Sequence, residues 1–341
     1  MEIFRRNHKE IHMTESNKKP HTIYEFDVEE ILAQYAPMLT NKNKDIVFEL
    51  GLANTELLSK KINYSRWPQK ILPKTFTKTS LSCARHDGFF FYPSSTNLCT
   101  EWHLNFAHHD LFGFYGGSLF AQDEMQVAEH PVLAFVREAI LTLGIDRFTV
   151  ENDEATPILF TGVERRTAIA TDVNSHQDRP YGLYGNNFSH ASEAAIKKAT
   201  VVLNPPTISN IIAIESPPPE FGKYTREQIL FILTSAITGF EAAVLLTQQQ
   251  NPSAKTSIHT GYWGCGAYGG NRELMTLLQV IAAHCANVDT LHFHTGGDNK
   301  EYEAALIRLN YLVPNYTEIS LDILIDSILL LNYNWGVSDG N

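Results

Sequence analysis

A glycine-rich stretch at residues 259–271 is the part of the chain whose composition most directly indicates chemistry. It reads HTGYWGCGAYGGN, with five glycines between Gly261 and Gly270. Glycines let the backbone turn several N–H groups toward one point, and a helix predicted to begin at Arg272 adds its positive N-terminal end. The stretch predicts a phosphate or diphosphate site, and a tight structural turn is the alternative interpretation.

The same stretch differs from the common nucleotide-binding loops. It lacks the lysine of a Walker P-loop, and it does not match the GxGxxG pattern of dinucleotide-binding folds. Trp263 and Tyr268 lie inside it, and aromatic side chains there favour walls for a ribose or a base.

Two adjacent carboxyl side chains, Asp123 and Glu124, are the candidate acid–base groups. In a strand they would face opposite ways, whereas in a loop or a first helical turn both can reach one pocket. Cleavage of a glycosidic bond needs a carboxyl group to protonate the leaving group or to activate water. The alternative is that they are acids favoured by the dipole at a helix N-terminus. Glu129 is predicted to be a surface residue.

Metal-binding patterns are weak in this sequence. His108 and His109 stand next to Asp110, but adjacent histidines in a strand point apart and no third ligand has suitable spacing. We therefore predict no metal site and no cofactor. Asp298 follows two glycines, where either a ribose contact or a simple turn is expected.

The elements that must position these groups alternate between strands and helices from about Ile71 onward. Apolar runs predict strands at 89–92, 102–107, 158–160, 208–214, 257–259 and 289–294. Helical spacing predicts helices at 131–143, 226–246, 272–285 and over most of 302–331. This alternation predicts an α/β layered domain with a parallel or mixed sheet.

The chain divides into three predicted regions. Residues 1–22 are charged and poor in large apolar side chains, which is typical of a disordered tail, and residues 23–70 have helical spacing. The third region, residues 71–341, carries the α/β pattern. No stretch is expected to span a membrane, because the best candidate, Leu321–Trp335, is interrupted by polar residues and is typical of a packed terminal helix.

Bulk composition excludes some classes of protein. The 341 residues carry a formal net charge of -11, which argues against a broad nucleic-acid footprint but leaves room for a local anion pocket. Cys83, Cys99, Cys265 and Cys285 form no CxxC pair, so reduced cytosolic thiols are expected. The N-terminus lacks the apolar core of a signal peptide. The cytoplasm, or delivery to a host cytosol by a route without such a signal, is the expected location.

Residues 260–271, TGYWGCGAYGGN, resemble the diphosphate-binding loop of the poly(ADP-ribose) glycohydrolases, which reads TGNWGCGAFGGD. Nine of the twelve positions are identical. The match is specific, because it involves more than spaced glycines. It implies that the loop binds the diphosphate of ADP-ribose and that Tyr268 packs against the distal ribose.

Shorter segments resemble the family's other motifs in the same order. Asn105–His108 resembles its D-F-A-N, and Gln122–Glu124 resembles its catalytic Q-E-E at the family's spacing. Residues 158–164, 212–215 and 225–240 resemble its I-I-T-G-T-E, its V-A-I-D and the helix that follows. The matches cover about residues 71–298. They imply a macrodomain, a three-layer α/β fold with a mixed sheet between helices and with helical additions at both ends.

Departures from the family pattern bear on the substrate. Phe112 and Phe114 flank Gly113 where the family has three glycines, so a narrower cleft is expected. His108 replaces the asparagine that orients the distal ribose, and Tyr262 replaces the loop's asparagine. The tyrosine that packs on adenine falls near Asp172. These changes resemble the arginine-specific MavL-type macrodomain hydrolases more than the polymer-cleaving enzymes.

The resemblance implies a hydrolase that removes mono-ADP-ribose from modified protein, preferably from arginine. Its partners would be ADP-ribose and mono-ADP-ribosylated protein, with no nucleic acid and no membrane. Glu124 would carry catalysis with Asp123 as helper. The implied ADP-ribose-binding residues are Phe106, Ala107, His108, Gln122, Thr260, Gly261, Tyr262, Trp263, Gly264, Cys265, Gly266, Ala267, Tyr268 and Gly269. A poly(ADP-ribose) glycohydrolase, an ADP-ribose reader without turnover and a purely structural protein are the alternatives.

Overall fold

The computed structural model describes residues 19–314 and 318–338. The strands are β1 (Thr22–Asp27), β2 (Lys61–Arg66), β3 (Thr75–Phe76), β4 (Ser82–His86), β5 (Cys99–Phe106), β6 (Val150–Glu151), β7 (Glu154–Ala155), β8 (Ile158–Ile169), β9 (Thr200–Ile214), β10 (Lys255–Gly261), β11 (Thr290–His294) and β12 (Ile319–Ser320). The helices are α1 (Val28–Gln34), α2 (Lys42–Leu52), α3 (Gln122–Glu129), α4 (Val132–Leu143), α5 (Asn187–His190), α6 (Glu193–Ala199), α7 (Arg226–Gln250), α8 (Arg272–Cys285), α9 (Lys300–Leu312) and α10 (Leu321–Leu329).

Eight strands form one mixed sheet in the order β1-β2-β8-β9-β5-β10-β11-β4. The five strands from β9 to β4 run parallel to one another. The remaining strands, β8, β2 and β1, add on in antiparallel fashion at the other edge. Parallel strands need a crossover between them, and buried runs such as Ile211–Ile214 are what a sheet covered on both faces requires.

Helices cover both faces of this sheet. One apolar core lies between the sheet and a layer that includes α7, α8 and α10, and a second lies between the sheet and a layer that includes α2, α3 and α4. Helix α4 starts after Pro131 and stops at Gly144, whose φ of 67° suits glycine at a helix end. The prediction of a three-layer α/β fold with a mixed sheet is confirmed.

The N-terminal region differs from its prediction. Helices α1 and α2 occur within 23–70 as expected, but β1 and β2 lie there too and extend the main sheet. Strand β2 lacks a regular alternation of buried and exposed residues, because Tyr64, Ser65 and Arg66 are all buried. Its sequence therefore did not predict a strand. Of the predicted disordered tail, residues 1–18 lie outside the described residues, while β1 already begins at Thr22.

The predicted strand at 89–92 is wrong. These four aromatic residues lie in a loop, and the edge strand is β4, a few residues earlier. Aromatic side chains favour strands only where both faces pack on neighbours. Phe90 and Phe91 instead turn their rings onto histidines of the sheet.

Most other predicted elements are confirmed with longer bounds. Strands β8 and β9 run well past the apolar runs that predicted them, because they pair with each other along their polar ends. The C-terminal prediction holds for α9 and α10, and α10 buries Leu321, Leu324, Ile325 and Ile328.

One membrane-related expectation needs correction. Among the described residues, α7 is long and apolar enough to cross a membrane by length and composition. Most of its apolar stretch is buried inside the protein. Its apolar character is accounted for by packing at the centre of one helical layer.

Candidate active site

The carboxyl ends of the parallel strands bring the predicted site residues together. Strands β5, β9 and β10 end at Phe106, Ile214 and Gly261, and the chain leaves each into a loop. In open α/β sheets, ligands bind outside this edge. The glycine loop follows β10, and α3 begins beside the end of β5.

Gln122 fixes the start of α3 against β5. Its side-chain oxygen accepts the N–H of Phe106 at 2.7 Å, and its side-chain nitrogen donates to the carbonyl of Leu104 at 3.0 Å. Both the oxygen and the nitrogen of this amide thus form hydrogen bonds with the backbone of β5. The first turn of α3, which carries Asp123 and Glu124, is therefore held at the strand's end.

Asp123 and Glu124 are both buried, with 6% and 3% of their surfaces exposed. Asp123 accepts a 3.0 Å hydrogen bond from the Asn105 side chain, and Glu124 accepts the N–H of Ala121 at 3.0 Å. Burial raises the pKa of both carboxyl groups, and the charge of Asp123 raises that of Glu124 further. Two interacting carboxyls with different surroundings are typical of an acid–base pair.

Lys44 was missed by sequence reasoning. It lies on α2 and is completely buried, and its Nζ donates to the carbonyl of Tyr115 at 2.7 Å. Burial lowers the pKa of Lys44, while the nearby charges of Glu124 and Asp123 raise it. In return, its charge lowers the pKa of both carboxyls. No local motif marks it, because more than 70 residues separate it from α3.

The glycine loop requires glycine where a Cβ atom would collide with neighbouring atoms or where φ is positive. Gly264 has a φ of 72°, and a Cβ there would come within 2.6 Å of Ser216. A Cβ on Gly270 would come within 2.7 Å of the carbonyl of Gly264, whose oxygen accepts the Gly270 N–H at 2.9 Å. These contacts close the loop into a compact turn. The tight-turn interpretation is therefore also true of this stretch.

Tyr268 lies at the cavity rather than in the core. Its hydroxyl donates to Glu215 at 3.3 Å, and the Nδ1 atom of His109 lies 3.8 Å from the same carboxyl. Burial raises the pKa of Glu215 to about 7, although the hydrogen bond from Tyr268 lowers it. Glu215 follows β9 directly. The sequence indicated it only as the last residue of the 212–215 motif and did not predict its contact with Tyr268.

Two adjoining cavities surround the loop. The smaller one, of about 200 Å³, is lined by Asp123, Glu124, His108 and Phe114 and, from the glycine loop, by Trp263, Gly264, Gly266, Ala267 and Tyr268. The larger one measures about 600 Å³ and contains Phe89, Phe90, Arg165 and Arg272. Phe106, Gln122, Tyr184, Tyr262 and Gly266 line both. Together they form one cleft of the size expected for a nucleotide-like ligand.

The predicted binding residues divide between these cavities and the interior. Ala107, Gly264 and Ala267 join the smaller cavity, while Gly261 and Cys265 line the larger. Thr260 is fully buried and its hydroxyl donates to Gln279. Gly269 is buried beneath the loop, where its carbonyl accepts the N–H of Gly336. These last two positions support the loop and do not line the cleft.

Three further predictions about side chains are wrong. Trp263 is 1% exposed and its indole donates to the carbonyl of Ile214, so it anchors the loop and is not an open ribose wall. Glu129 is buried rather than on the surface, and it pairs with Arg165 at 2.9 Å. Phe112 does not narrow the cleft. It is fully buried beside Phe160, with a left-handed φ of 55° that glycine adopts without strain.

Comparison with known proteins bears on this arrangement. Residues 138–303 match the family model described as poly(ADP-ribose) glycohydrolase, macro domain fold. The matched segment contains the whole glycine loop and begins after Glu124. The predicted resemblance to the poly(ADP-ribose) glycohydrolases, which are glycosyl-bond hydrolases by name, is confirmed over these residues. The placement in the MavL-type branch stays a prediction.

Solved structures of poly(ADP-ribose) glycohydrolases are similar to the chain. One, from Thermomonospora curvata, is bound to the inhibitor ADP-HPD; it is 11% identical over 84% of this chain and 84% of that chain, with a TM-score of 0.39. Another, from Deinococcus radiodurans, is in complex with ADP-ribose; it is 12% identical over 83% of this chain and 97% of that chain, with a TM-score of 0.39.

The family match begins at residue 138 and does not reach Asp123 and Glu124. The assignment of Asp123 and Glu124 stays a prediction, supported by their place on the wall of the smaller cavity. Within the described residues, His108 and His109 form no metal-binding cluster with Asp110. Asp110 is instead held by Arg137 and Arg147, at 2.6 and 2.8 Å.

Proposed function

We propose that this protein binds ADP-ribose and hydrolyses the bond that joins it to a modified protein, with arginine as the preferred acceptor. One observation carries the proposal: the carboxyl groups of Asp123 and Glu124 share a cavity wall with the glycine loop. A diphosphate seated on that loop would place an attached ribose beside both carboxyls.

Backbone N–H groups of the loop would bind the diphosphate. Several are used inside the turn, since Trp263, Cys265, Gly269 and Gly270 donate to loop carbonyls. The donors left for phosphate oxygens are those of Gly264, Gly266, Ala267 and Tyr268. Helix α8 begins at Arg272, capped by Asn271, so its positive end also faces this region.

The larger cavity would hold the adenosine half. Phe89 and Tyr184 stack with nearly parallel rings there, at an angle of 12°. Flat aromatic faces suit a base. Arg272 lies over the ring of Tyr262 at 4.9 Å, beside the shared wall, where a cation favours a bridging diphosphate.

Glu124 would act first as an acid. Its raised pKa keeps a proton on the carboxyl near neutral pH, and that proton passes to the guanidine nitrogen as the bond from the ribose anomeric carbon breaks. Asp123, ionised beside Lys44, would stabilise the positive charge that develops on the ribose. Glu124 would then take a proton from the attacking water, which yields ADP-ribose and unmodified arginine.

The shape of the smaller cavity favours a single ADP-ribosyl group over a chain. Phe114 is 53% exposed and its ring packs on His108 at 4.9 Å, at the cavity where the family has glycine. The ionised Asp123 on the wall of this cavity attracts a cationic guanidinium. Asp172, near which the family's adenine-packing tyrosine falls, is paired with Arg179 at 2.8 Å.

The test is release of ADP-ribose from a panel of substrates. Arginine-, glutamate- and serine-linked mono-ADP-ribosylated peptides and the polymer are incubated with equal enzyme, and free ADP-ribose is measured over time. We expect the arginine linkage to react fastest. Faster release from polymer or serine would refute the arginine preference. Binding of ADP-ribose with no release from any substrate would make the protein a reader.

A further inference from the structure

After α10 the chain returns to the glycine loop. Residues 333–338, named here the C-terminal strap, run antiparallel to residues 222–224, with a bridge between Lys223 and Asn334. The N–H of Tyr224 donates to the carbonyl of Tyr333 at 3.0 Å, and the N–H of Trp335 donates to the carbonyl of Gly222 at 2.8 Å. Backbone groups alternate in direction along an extended chain. The groups of Asn334 and Gly336 therefore point the other way.

The other edge of the strap holds the end of the glycine loop. The N–H of Gly336 donates to the carbonyl of Gly269 at 2.7 Å. Gly269 has a φ of 66°, and a Cβ there would come within 2.8 Å of the Ser338 nitrogen. The absence of a side chain thus lets the loop backbone lie directly against the backbone of the strap.

Asn271 ties the strap to the start of α8. Its side-chain oxygen caps the helix by accepting the N–H of Leu274 at 3.0 Å, and its side-chain nitrogen donates to the carbonyl of Asn334 at 3.2 Å. Its backbone N–H donates to the hydroxyl of Tyr224 at 2.9 Å. The helix end that would face the diphosphate is therefore fixed both to the strap and to the segment that the strap pairs with.

Trp335 is the side chain that anchors the strap. It is 9% exposed, and its ring stacks on Tyr224 at a centroid distance of 4.3 Å and an angle of 12°. Its indole N–H donates to the side-chain oxygen of Gln228, on α7, at 3.3 Å. Val337, two residues later, is 90% exposed. Removal of the Trp335 ring should therefore loosen the strap, whereas truncation of Val337 should not.

We propose that Trp335 and Gly336 are positioning residues for the diphosphate site, an inference that rests on the proposed binding of ADP-ribose. A loop with five glycines has many accessible conformations, and affinity falls with the fraction of molecules that hold the binding conformation. By fixing Gly269 and Asn271, the strap keeps the loop N–H groups directed at the phosphates. The strap lies outside residues 138–303, the segment that matches the family model.

Amide hydrogen exchange tests the strap without any ligand. In the full-length protein, Trp335→Ala should speed exchange of the Gly269 and Gly270 amides about 10-fold, the effect expected from losing one aromatic stack and one hydrogen bond. Gly336→Ala is a second variant at an exposed position, where a Cβ would lie 3.0 Å from the Gly269 carbonyl oxygen and push the two backbones apart. Trp335→Phe keeps a stacked ring and should restore slow exchange. Val337→Ala is the matched control.

ADP-ribose affinity and turnover provide the second measurement. Calorimetry should show binding about 10-fold weaker in Trp335→Ala and in Gly336→Ala, and within about 2-fold of the wild type in Trp335→Phe and Val337→Ala. With an arginine-linked substrate, KM should rise by a similar factor while kcat changes far less, because the strap does not touch the reacting atoms.

Two results would overturn the inference. One is wild-type amide exchange in residues 264–270 together with wild-type ADP-ribose affinity in both Trp335→Ala and Gly336→Ala. The other is a lower free energy of unfolding in Trp335→Ala with no change at the loop, which would make Trp335 a core residue only. If the wild-type protein binds no ADP-ribose, the proposed function fails, whereas the exchange rates still decide whether the strap holds the loop.

Discussion

Replacing Glu124 with glutamine separates the proposed chemistry from the structural role of the same side chain. Glu124 accepts the N–H of Ala121 at the start of α3. Glutamine keeps an oxygen at that place, so the helix start is preserved, but it has no proton to give and none to take. We expect the variant to fold and to bind ADP-ribose as the wild type does.

The expected loss of rate follows from the role assigned to the carboxyl. Removing a general acid–base group lowers the rate about 10²–10⁴-fold, which corresponds to about 2.7–5.4 kcal/mol of transition-state stabilisation. The loss should appear in kcat rather than in KM, because the proton moves only in the reaction step.

The pH dependence of the free energy of unfolding provides a second, independent test. The pKa of Glu124 is raised in the folded protein by burial and by Asp123, so the native state holds its proton more tightly than the unfolded chain does. Stability from this group is complete at low pH and is lost as pH rises from the ordinary value through the raised one. Glutamine does not ionise, so the variant should gain stability relative to the wild type across that interval.

Three measurements check these statements: single-turnover release of ADP-ribose from an arginine-linked peptide, calorimetry with ADP-ribose, and denaturant unfolding at several pH values. Glu56→Gln, at an exposed glutamate, is the control. A fully active Glu124→Gln enzyme would refute the catalytic assignment. A variant that loses ADP-ribose affinity and rate together would show that the carboxyl serves binding instead.

Four further outcomes are expected. Gly266→Leu should weaken ADP-ribose binding at least about 100-fold, or ~2.7 kcal/mol, because Gly266 lines both cavities; calorimetry that shows wild-type affinity would contradict this. Tyr268→Ala should lower turnover far more than the free energy of unfolding; equal losses would indicate a structural role. Lys44→Met removes the charge that lowers the pKa of Asp123 and Glu124, so both limbs of the kcat/KM profile should move to higher pH, and limbs that stay in place would refute the coupling. Phe114→Gly should raise polymer cleavage relative to arginine-linked release; an unchanged ratio would remove Phe114 from the specificity argument.

Local sequence patterns predicted the features that are formed by residues close together in the chain, namely the glycine loop and helix α8. The turn at residues 260–271 needs glycine at positions 264 and 270 because other atoms pack closely there. The residues that form this turn are consecutive, so the sequence pattern was sufficient to predict it. Helix α8 was predicted with its observed bounds, because its apolar spacing and its Asn271 cap are local signals.

The burial of individual side chains was harder to predict from the sequence. A charged side chain is expected at the surface unless a buried partner for it is known. Glu129 was predicted at the surface, yet Arg165, from a strand far along the chain, pairs with it inside. Trp263 likewise looked like a binding wall, and only the position of the Ile214 carbonyl shows why its indole is buried.

Tertiary structure alone decided which distant groups meet. Lys44 reaches the carboxyl pair because α2 packs beside α3, and no spacing in the sequence encodes that contact. Glu101, His259 and His292 come together because β5, β10 and β11 are neighbours in register, although more than 150 residues separate the first two. Sequence periodicity reports which face of an element is buried, whereas the identity of the residue across that face depends on the order of strands in the sheet.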